Sequence, residues 1–313
     1  MILEYLGSLD PFTLVRALPG NVAQGLIWGI MALGVYITFR ILDFADLTVD
    51  GSLATGGAVA VMLIQGGMNP ALALLFAFLA GLLAGLVTGL LHTKLGIPGI
   101  LASILTQISL YSVNLRIMGK ANQSIGLGTK NLVASMRYIT GDGSLFFFVK
   151  LTGMCLLLVI LLYCFFGTEI GSAIRATGCN PQMARAQGIN TDFTKVLALM
   201  ISNGLVGLCG GLYAQYQGAA DVNSGRGAIV IGLAAVIISE VLFSKWCAKS
   251  NYAFAMTLLA IFVGAILYYI VYTVVLWLKM PSDYMKLFSA VVVALFLAIP
   301  YMRDKARAKR RAD

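Results

Sequence analysis

The sequence predicts an all-α, polytopic membrane protein of about nine transmembrane helices with an inverted repeat and a polar cytosolic hook, all within one transmembrane domain, residues 1–313. Three observations carry this. Hydrophobic residues make up 59% of the chain and charged residues 11%, and the mean hydropathy is +0.89; a soluble domain carries about 25% charged residues. Apolar runs of about 20 residues, the length that crosses a bilayer as a helix, recur along the whole chain. Between two of them lies a polar island, Glu169 to Asn190, reading EIGSAIRATGCNPQMARAQGIN. Such an island belongs at a membrane face.

Taken in order, the spans are Val22 to Phe39, Thr48 to Gln65, Ala71 to Leu91, Gly99 to Met118, Leu145 to Phe166, Lys195 to Gln217, Gly227 to Phe243, Tyr252 to Leu278 and Tyr284 to Tyr301. The second is short enough to be broken or re-entrant. Arg175 and Arg185 put the island in the cytosol by the positive-inside rule, which leaves the N-terminus outside and the C-terminus inside. On that orientation thirteen of the 22 Lys and Arg residues fall inside and nine outside, six of the thirteen in the basic tail 302–313. Topology therefore accounts for the net charge of +9, and no nucleic acid is needed to explain it. Residues 1–20 read as an amphipathic lead-in: Glu4 and Asp10 precede the first cation, Arg16, so the positive n-region of a secretory signal is missing.

The chain carries no G-x-x-x-x-G-K-[ST] phosphate loop; Gly126 to Lys130 lacks the spacing. It is not expected to be an enzyme, and ATP and magnesium, if they drive it, bind another subunit. Cys155, Cys164, Cys179, Cys209 and Cys247 show no C-x-x-C spacing and mostly lie in apolar runs, where Cys packs as a small hydrophobe, so neither a metal nor a redox centre is indicated. His92, beside Lys94 at a helix end, reads as interfacial. Tyr268, Tyr269, Tyr272, Trp277 and Tyr284 read as an aromatic belt at the membrane surface.

Glycine spacing points to close helix packing: Gly81, Gly85 and Gly89 share a face of the third span, as do Gly25 and Gly29 on the first and Gly207 and Gly211 on the sixth. A faint repeat is also present. Asp50-Gly51-Ser52 and Arg226-Gly227-Ala228 each open an apolar helix, followed by a short loop, a second helix, a Lys-containing turn ending in Pro98 or Pro281, and a third helix. The first unit starts in the cytosol and the second outside, the inverted arrangement of many transporters. Chance likeness between hydrophobic helices is the rival explanation.

The polar island reads as two short helices hinged at Cys179-Asn180-Pro181, because proline fixes its own φ and pushes the preceding residue away from helix. Its pattern, carried by Arg175, Ala176, Gly178, Asn180, Pro181, Ala184, Gly188 and Ile189, resembles the cytosolic coupling loop of ABC importer permeases, with the nearer likeness to the branched-chain amino acid and ribose permease superfamily. The resemblance implies that Glu169, Arg175, Gly178, Asn180, Pro181, Arg185 and Gly188 engage an ATP-hydrolysing subunit. It also implies a second permease copy, usually identical, an extracytoplasmic solute-binding protein, and a place in the bacterial plasma membrane. An ordinary interhelical loop is the plainer reading, against which stands its length.

Asp43, Asp46 and Asp50 form a second polar stretch beside a span with only Arg40 near, and acids at membrane depth face a cavity or a partner. Asp50-Gly-Ser reads as the cap of a new helix whose N–H groups could hold the anionic end of a solute. This stretch resembles the segment that interrupts the second helix in the same superfamily, nearest to a subgroup labelled as tryptophan or tyrosine importers. The likeness implies that Asp50, Ser52 and Thr55 line the solute path and that Asp43 and Asp46 sit at the cytosolic gate; helix capping is the equal alternative for the last two. Gly225 to Glu240 looks like the same subgroup, with Gly232 and Ser239 on one face bordering the path. Glu240 is expected to pair with Lys245. Arg116, Lys120, Lys130 and Arg137 make the outer loop basic, the face on which the family's binding protein docks, though a solvated loop explains them too. Three alternatives stay open: an ion-coupled carrier using Asp46 and Asp50, a membrane scaffold that transports nothing, and an importer permease for nucleosides or a vitamin.

Overall fold

The computed structural model describes residues 11–126, 143–247 and 252–277, with five single positions between 287 and 298. Helix α1 runs unbroken over Pro11–Tyr36, with Pro19 inside it, so residues 11–20 continue into the first span and do not form a separate element. A π-helical turn, Ile37–Ile41, and a loop at 42–47 reverse the chain into α2, Thr48–Gln65. Asp43 turns this corner at φ 54°, the left-handed region that Asp tolerates better than most side chains. Then come α3, Pro70–Thr93; α4, Gly99–Met118; α5, Gly143–Phe166; the hook helices α6, Glu169–Cys179, and α7, Pro181–Ala186; α8, Thr191–Gln217; α9, Ala228–Cys247; and α10, Ala253–Trp277.

Among the described residues seven helices are long and apolar enough to cross a membrane, and Ala228–Phe243 is a shorter apolar helix. These eight correspond to the first eight expected spans. The ninth, Tyr284 to Tyr301, falls outside the described residues apart from the single positions. One feature was not foreseen: strands β1, Asn122–Ser124, and β2, Ala219–Asp221, pair antiparallel, Gln123 opposite Ala220. Gln65 ties this pair to the end of α2 by donating to the Ser124 carbonyl at 2.6 Å and accepting from Gln123 at 2.8 Å.

Small residues set the helix spacing, as packing in lipid requires. A Cβ at Gly81 or Gly85 would strike the carbonyls of Asn203 or Leu199 on α8, and one at Gly89 would press on Val196. Gly56 of α2 meets Gly207, and Gly210 meets the Leu53 carbonyl. Helices α2, α3 and α8 thus lock backbone to backbone. On the other side Gly25 and Gly29 of α1 seat Ile266 and Phe262 of α10.

Two residues of the expected aromatic belt face the bundle instead, while Tyr284 lies outside the described residues. Tyr268 and Tyr269 are buried, and Tyr269 stacks toward Trp28, which meets Tyr213 edge-on at 5.4 Å. These rings fill the seam between α1, α8 and α10 because their side of α10 faces the bundle.

Replacing Gly81 with Ile should lower the melting temperature of the purified protein in detergent and cost at least 1–3 kcal/mol, the usual penalty for overpacking. The same change at Gly153, where nothing lies within 4 Å of the new Cβ, should leave the melt near wild type.

Candidate solute path and coupling site

The loop at 42–47 delivers Asp46 into a fully buried position. Its carboxylate accepts from the Thr48 backbone N–H at 2.9 Å and from the Asn203 amide at 2.7 Å, while Ser52 donates to the other end of that amide at 2.6 Å. Desolvation raises the Asp46 pKa, opposed by the hydrogen bonds from Thr48 and Asn203. Beside this network runs a hydroxyl chain, Thr48 to Thr88 at 2.8 Å and Thr88 to Thr106 at 2.9 Å, which stitches α2, α3 and α4. Ser52 and Thr55, expected on the path, are both buried, and Thr55 bonds back to the Gly51 carbonyl. Asp43 is exposed at the corner.

The opening of α9 is built differently from the end of an ordinary loop. After β2 the chain turns inward until Gly225 lies against the Asp50 carbonyl. Gly227, at φ +84°, then starts the helix. Asp50 receives that start from α2: one carboxylate oxygen accepts from Gly227 N at 2.9 Å, the other from Ile229 N at 3.0 Å. It caps a helix 177 residues away in sequence. The two triplets that the repeat aligned, Asp50-Gly51-Ser52 and Arg226-Gly227-Ala228, therefore touch each other. Gly232 packs against Val35 and Met31 of α1, and Ser239 is buried and bonds to the Val236 carbonyl.

At the other end of α9 Glu240 reaches a neighbouring helix, and the side chain of Lys245, its expected partner, lies outside the described residues. Glu240 takes both arms of Arg40, each at 2.6 Å. The π-turn is what aims Arg40 across to α9, and no local sequence rule reports a pairing between helices.

The hook is three capping residues in series. Thr168 accepts from Gly171 N and starts α6; Asn180 ends α6 and accepts from Gln182 N and Met183 N to start α7; Asn190 accepts from Asp192 N and Phe193 N to start α8. The expected hinge lies where Asn180 caps both helices. Its residues divide into two faces. Arg175 points inward, its guanidinium 4.1 Å from the Phe254 ring centroid and 5.4 Å from that of Phe166. Gly178 admits the Ile41 carbonyl so closely that no Cβ fits. Glu169, Asn180, Pro181 and Gly188 are exposed, and Arg185 donates to Thr191 at 2.7 Å and pairs with Asp192. Met183 and Phe193 are exposed beside them, at 63% and 55%.

Hook, π-turn and the loop at 94–98 share one end of the bundle: Gly99 lies against Phe44, and Lys195 reaches His92 at 3.3 Å. His92 also bonds the Ile97 carbonyl through Nδ1 at 2.9 Å. At the opposite end Arg116 and Lys120 are exposed; Lys130 and Arg137 fall outside the described residues. Asn203 escaped the sequence reading, although an amide in the middle of an apolar run was a signal for it.

A multi-pass bundle with a π-turn closing its first span, a helix capped from a distant span and a structured polar hook is the construction of a transport permease. The family profile described as "Branched-chain amino acid transport system / permease component" matches residues 20–299. The tyrosine transport system permease protein of Clostridioides difficile (strain R20291) is 41% identical over 277 residues, 88% of this chain and 89% of that one. Uncharacterized protein RP368 of Rickettsia prowazekii (strain Madrid E) is 33% identical over 275 residues, 88% of this chain and 94% of that one. The inner membrane ABC transporter permease protein YjfF of Escherichia coli (strain K12) is 27% identical over 251 residues, 78% and 74% of the two chains. The solved structure of PsaBC from Streptococcus pneumoniae in complex with Fab aligns over 85% of this chain and 95% of that one at 16% identity and a TM-score of 0.35, too low to carry an argument. The chain belongs to the branched-chain amino acid transport system permease family, a multi-pass membrane permease of ABC importers.

Replacing Asp50 with Ala should strand the N–H groups of Gly227 and Ile229 and cost about 2–3 kcal/mol, with Asn at this position recovering part of it. Hydrogen exchange across residues 225–231 should speed up in the Ala variant before any other helix responds.

Proposed function

We propose that this chain is the solute-conducting subunit of an importer whose ATP is bound and hydrolysed by a separate subunit seated on the hook. The observation that carries this reading is the division of the hook into two faces. Met183 and Phe193 stand exposed with Asn180, Pro181, Arg185 and Glu169 around them, a patch of apolar anchors rimmed by polar groups such as protein interfaces use. The inner face, Arg175 and Gly178, rests on α10 and on the π-turn. A push on the outer face therefore reaches Ile41, then Arg40, then Glu240 on α9. ATP binding shifts the permease only through contacts that differ between its states, and this route is where that difference enters. Arg175 and Gly178 thus transmit the push, while the exposed residues receive it.

In this reading the hook lies in the cytosol, the β1–β2 end lies outside, two copies of the chain flank the path, and a solute-binding protein docks on the outer cations Arg116, Lys120, Lys130 and Arg137. Asp50 and the opening of α9 border the path, with Gly232 and Ser239 below it and Asp43 and Asp46 toward the gate. The solute is an aromatic amino acid. The name of the relative from Clostridioides difficile, at 41% identity over most of both chains, supports that choice. An ion-coupled carrier fits less well, because Asp46 and Asp50 each use both oxygens on fixed donors.

The test is ATP-dependent uptake of L-tyrosine by proteoliposomes holding the permease, its ATPase and its binding protein. Met183→Asp should leave a folded permease that no longer co-purifies with the ATPase. Gly178→Glu should keep the complex together but lower uptake by roughly tenfold or more, the effect of losing about 1.4 kcal/mol of coupling. Uptake that persists without ATP and collapses with the ion gradient would sink the reading.

A further inference from the structure

We infer that Arg226 is the carboxylate-binding residue of the solute path, with Tyr111 of α4 forming the ring surface beside it. This rests on the reading of the chain as an amino acid permease and names the residues that would touch the solute.

The N-terminus of α9 offers N–H groups and a partial positive charge, the usual seat for an anion. Asp50 fills that seat, with one oxygen on Gly227 and the other on Ile229. A solute carboxylate arriving at the opening of α9 would meet a carboxylate already there and needs a separate cation. Arg226 supplies it from the adjoining residue.

Three observations single out this side chain. Arg226 is exposed, and among the described residues no carboxylate lies within ion-pair range of its guanidinium, whereas Arg40 at the other end of α9 is held by Glu240. Its contact is the face of Tyr111, 5.9 Å from the ring centroid. Tyr111 lies about 10 Å below the end of α4 by helical rise, among the exposed apolar residues Ile108 and Val113, with Val230 exposed on α9. A guanidinium at such depth does not face hydrocarbon; it faces a polar cavity or a partner. One helical turn above Tyr111, Asn114 is 1% exposed, and neither its amide oxygen nor its nitrogen has a hydrogen-bond partner. A buried amide left idle in this way marks a place where a ligand or water completes the structure.

The three groups match an amino acid with a ring. Arginine grips a carboxylate through two parallel N–H bonds, tyrosine stacks on an aromatic side chain, and an amide both donates and accepts. Arg226 already lies over the Tyr111 ring, 5.9 Å from its centroid, so cation and ring stand side by side before the solute arrives.

The experiment compares wild type, Arg226→Gln, Arg226→Lys and Tyr111→Leu in proteoliposomes with the ATPase and binding protein, measuring initial uptake of L-tyrosine, L-leucine and L-tyrosinamide. Arg226→Gln should reduce uptake of the amino acids by roughly ten- to hundredfold, the loss expected for a charge-assisted bond. It should also abolish the preference for L-tyrosine over its amide, and Arg226→Lys should restore part of both. Tyr111→Leu should impair L-tyrosine more than L-leucine. Wild-type rates and wild-type preference in Arg226→Gln overturn the inference. So does loss of the permease dimer on size exclusion in that variant, since Arg226 would then belong to the contact between copies. If wild type carries L-leucine and not L-tyrosine while Arg226→Gln carries neither, the carboxylate site stands and the aromatic solute falls.

Discussion

A helix cannot begin inside a membrane unless something accepts hydrogen bonds from its first turn, and in this chain that acceptor is Asp50. In water the open N–H groups of α9 would be solvated at little cost. At membrane depth each one left bare costs several kcal/mol. A carboxylate delivered from α2 satisfies two of them and places a negative charge against the positive end of the helix. Two liabilities, a half-buried acid and an open helix end, cancel each other. The turn at 222–227, the glycine at 225 that lets it approach, and the starting depth of α9 all follow from that single contact.

The contact also divides the bundle mechanically. Helices α2, α3 and α8 are joined by glycine-backed contacts and by two polar networks, one through Asn203 and one through Thr88. Such packing has little freedom to shear, because its backbones already touch. Helix α9 lies mainly against α1 and α10 and meets α2 chiefly at its first turn. Its two polar attachments sit at opposite ends: Asp50 from α2, and Arg40 from the π-turn. A π-turn is a local excess of chain within a helix and is found often where function requires adjustment. Here it lies between the hook's inner face and Glu240.

What could be read in advance was whatever depends on neighbours in sequence. The hook's hinge was legible because Asn180 and Pro181 act within one turn of where they stand. The glycine faces were legible because helical spacing alone puts Gly81, Gly85 and Gly89 in a row. What joins distant segments was not: Asp50 finds Gly227 across 177 residues, and Arg40 finds Glu240 across 200. Proximity in sequence points Glu240 to Lys245 and is silent on Arg40, which comes from another helix. The same limit misplaced Tyr268 and Tyr269, since an aromatic run at a helix end reads alike whether it faces headgroups or the core. The β1–β2 pair had no signal at all, because strands of three residues are shorter than any alternation can mark.

In the aligned triplets sequence pattern and geometry meet. If Asp50-Gly51-Ser52 and Arg226-Gly227-Ala228 began as copies of one motif, they have since taken complementary charges. The acid of the first triplet closes the helix end that the second begins, and the base of the second meets no carboxylate among the described residues. One triplet holds the backbone of the other, and only one of the two charges is used in doing so. The remaining charge is positive, which suits a path for carboxylates and would repel a solute whose exposed end is a cation.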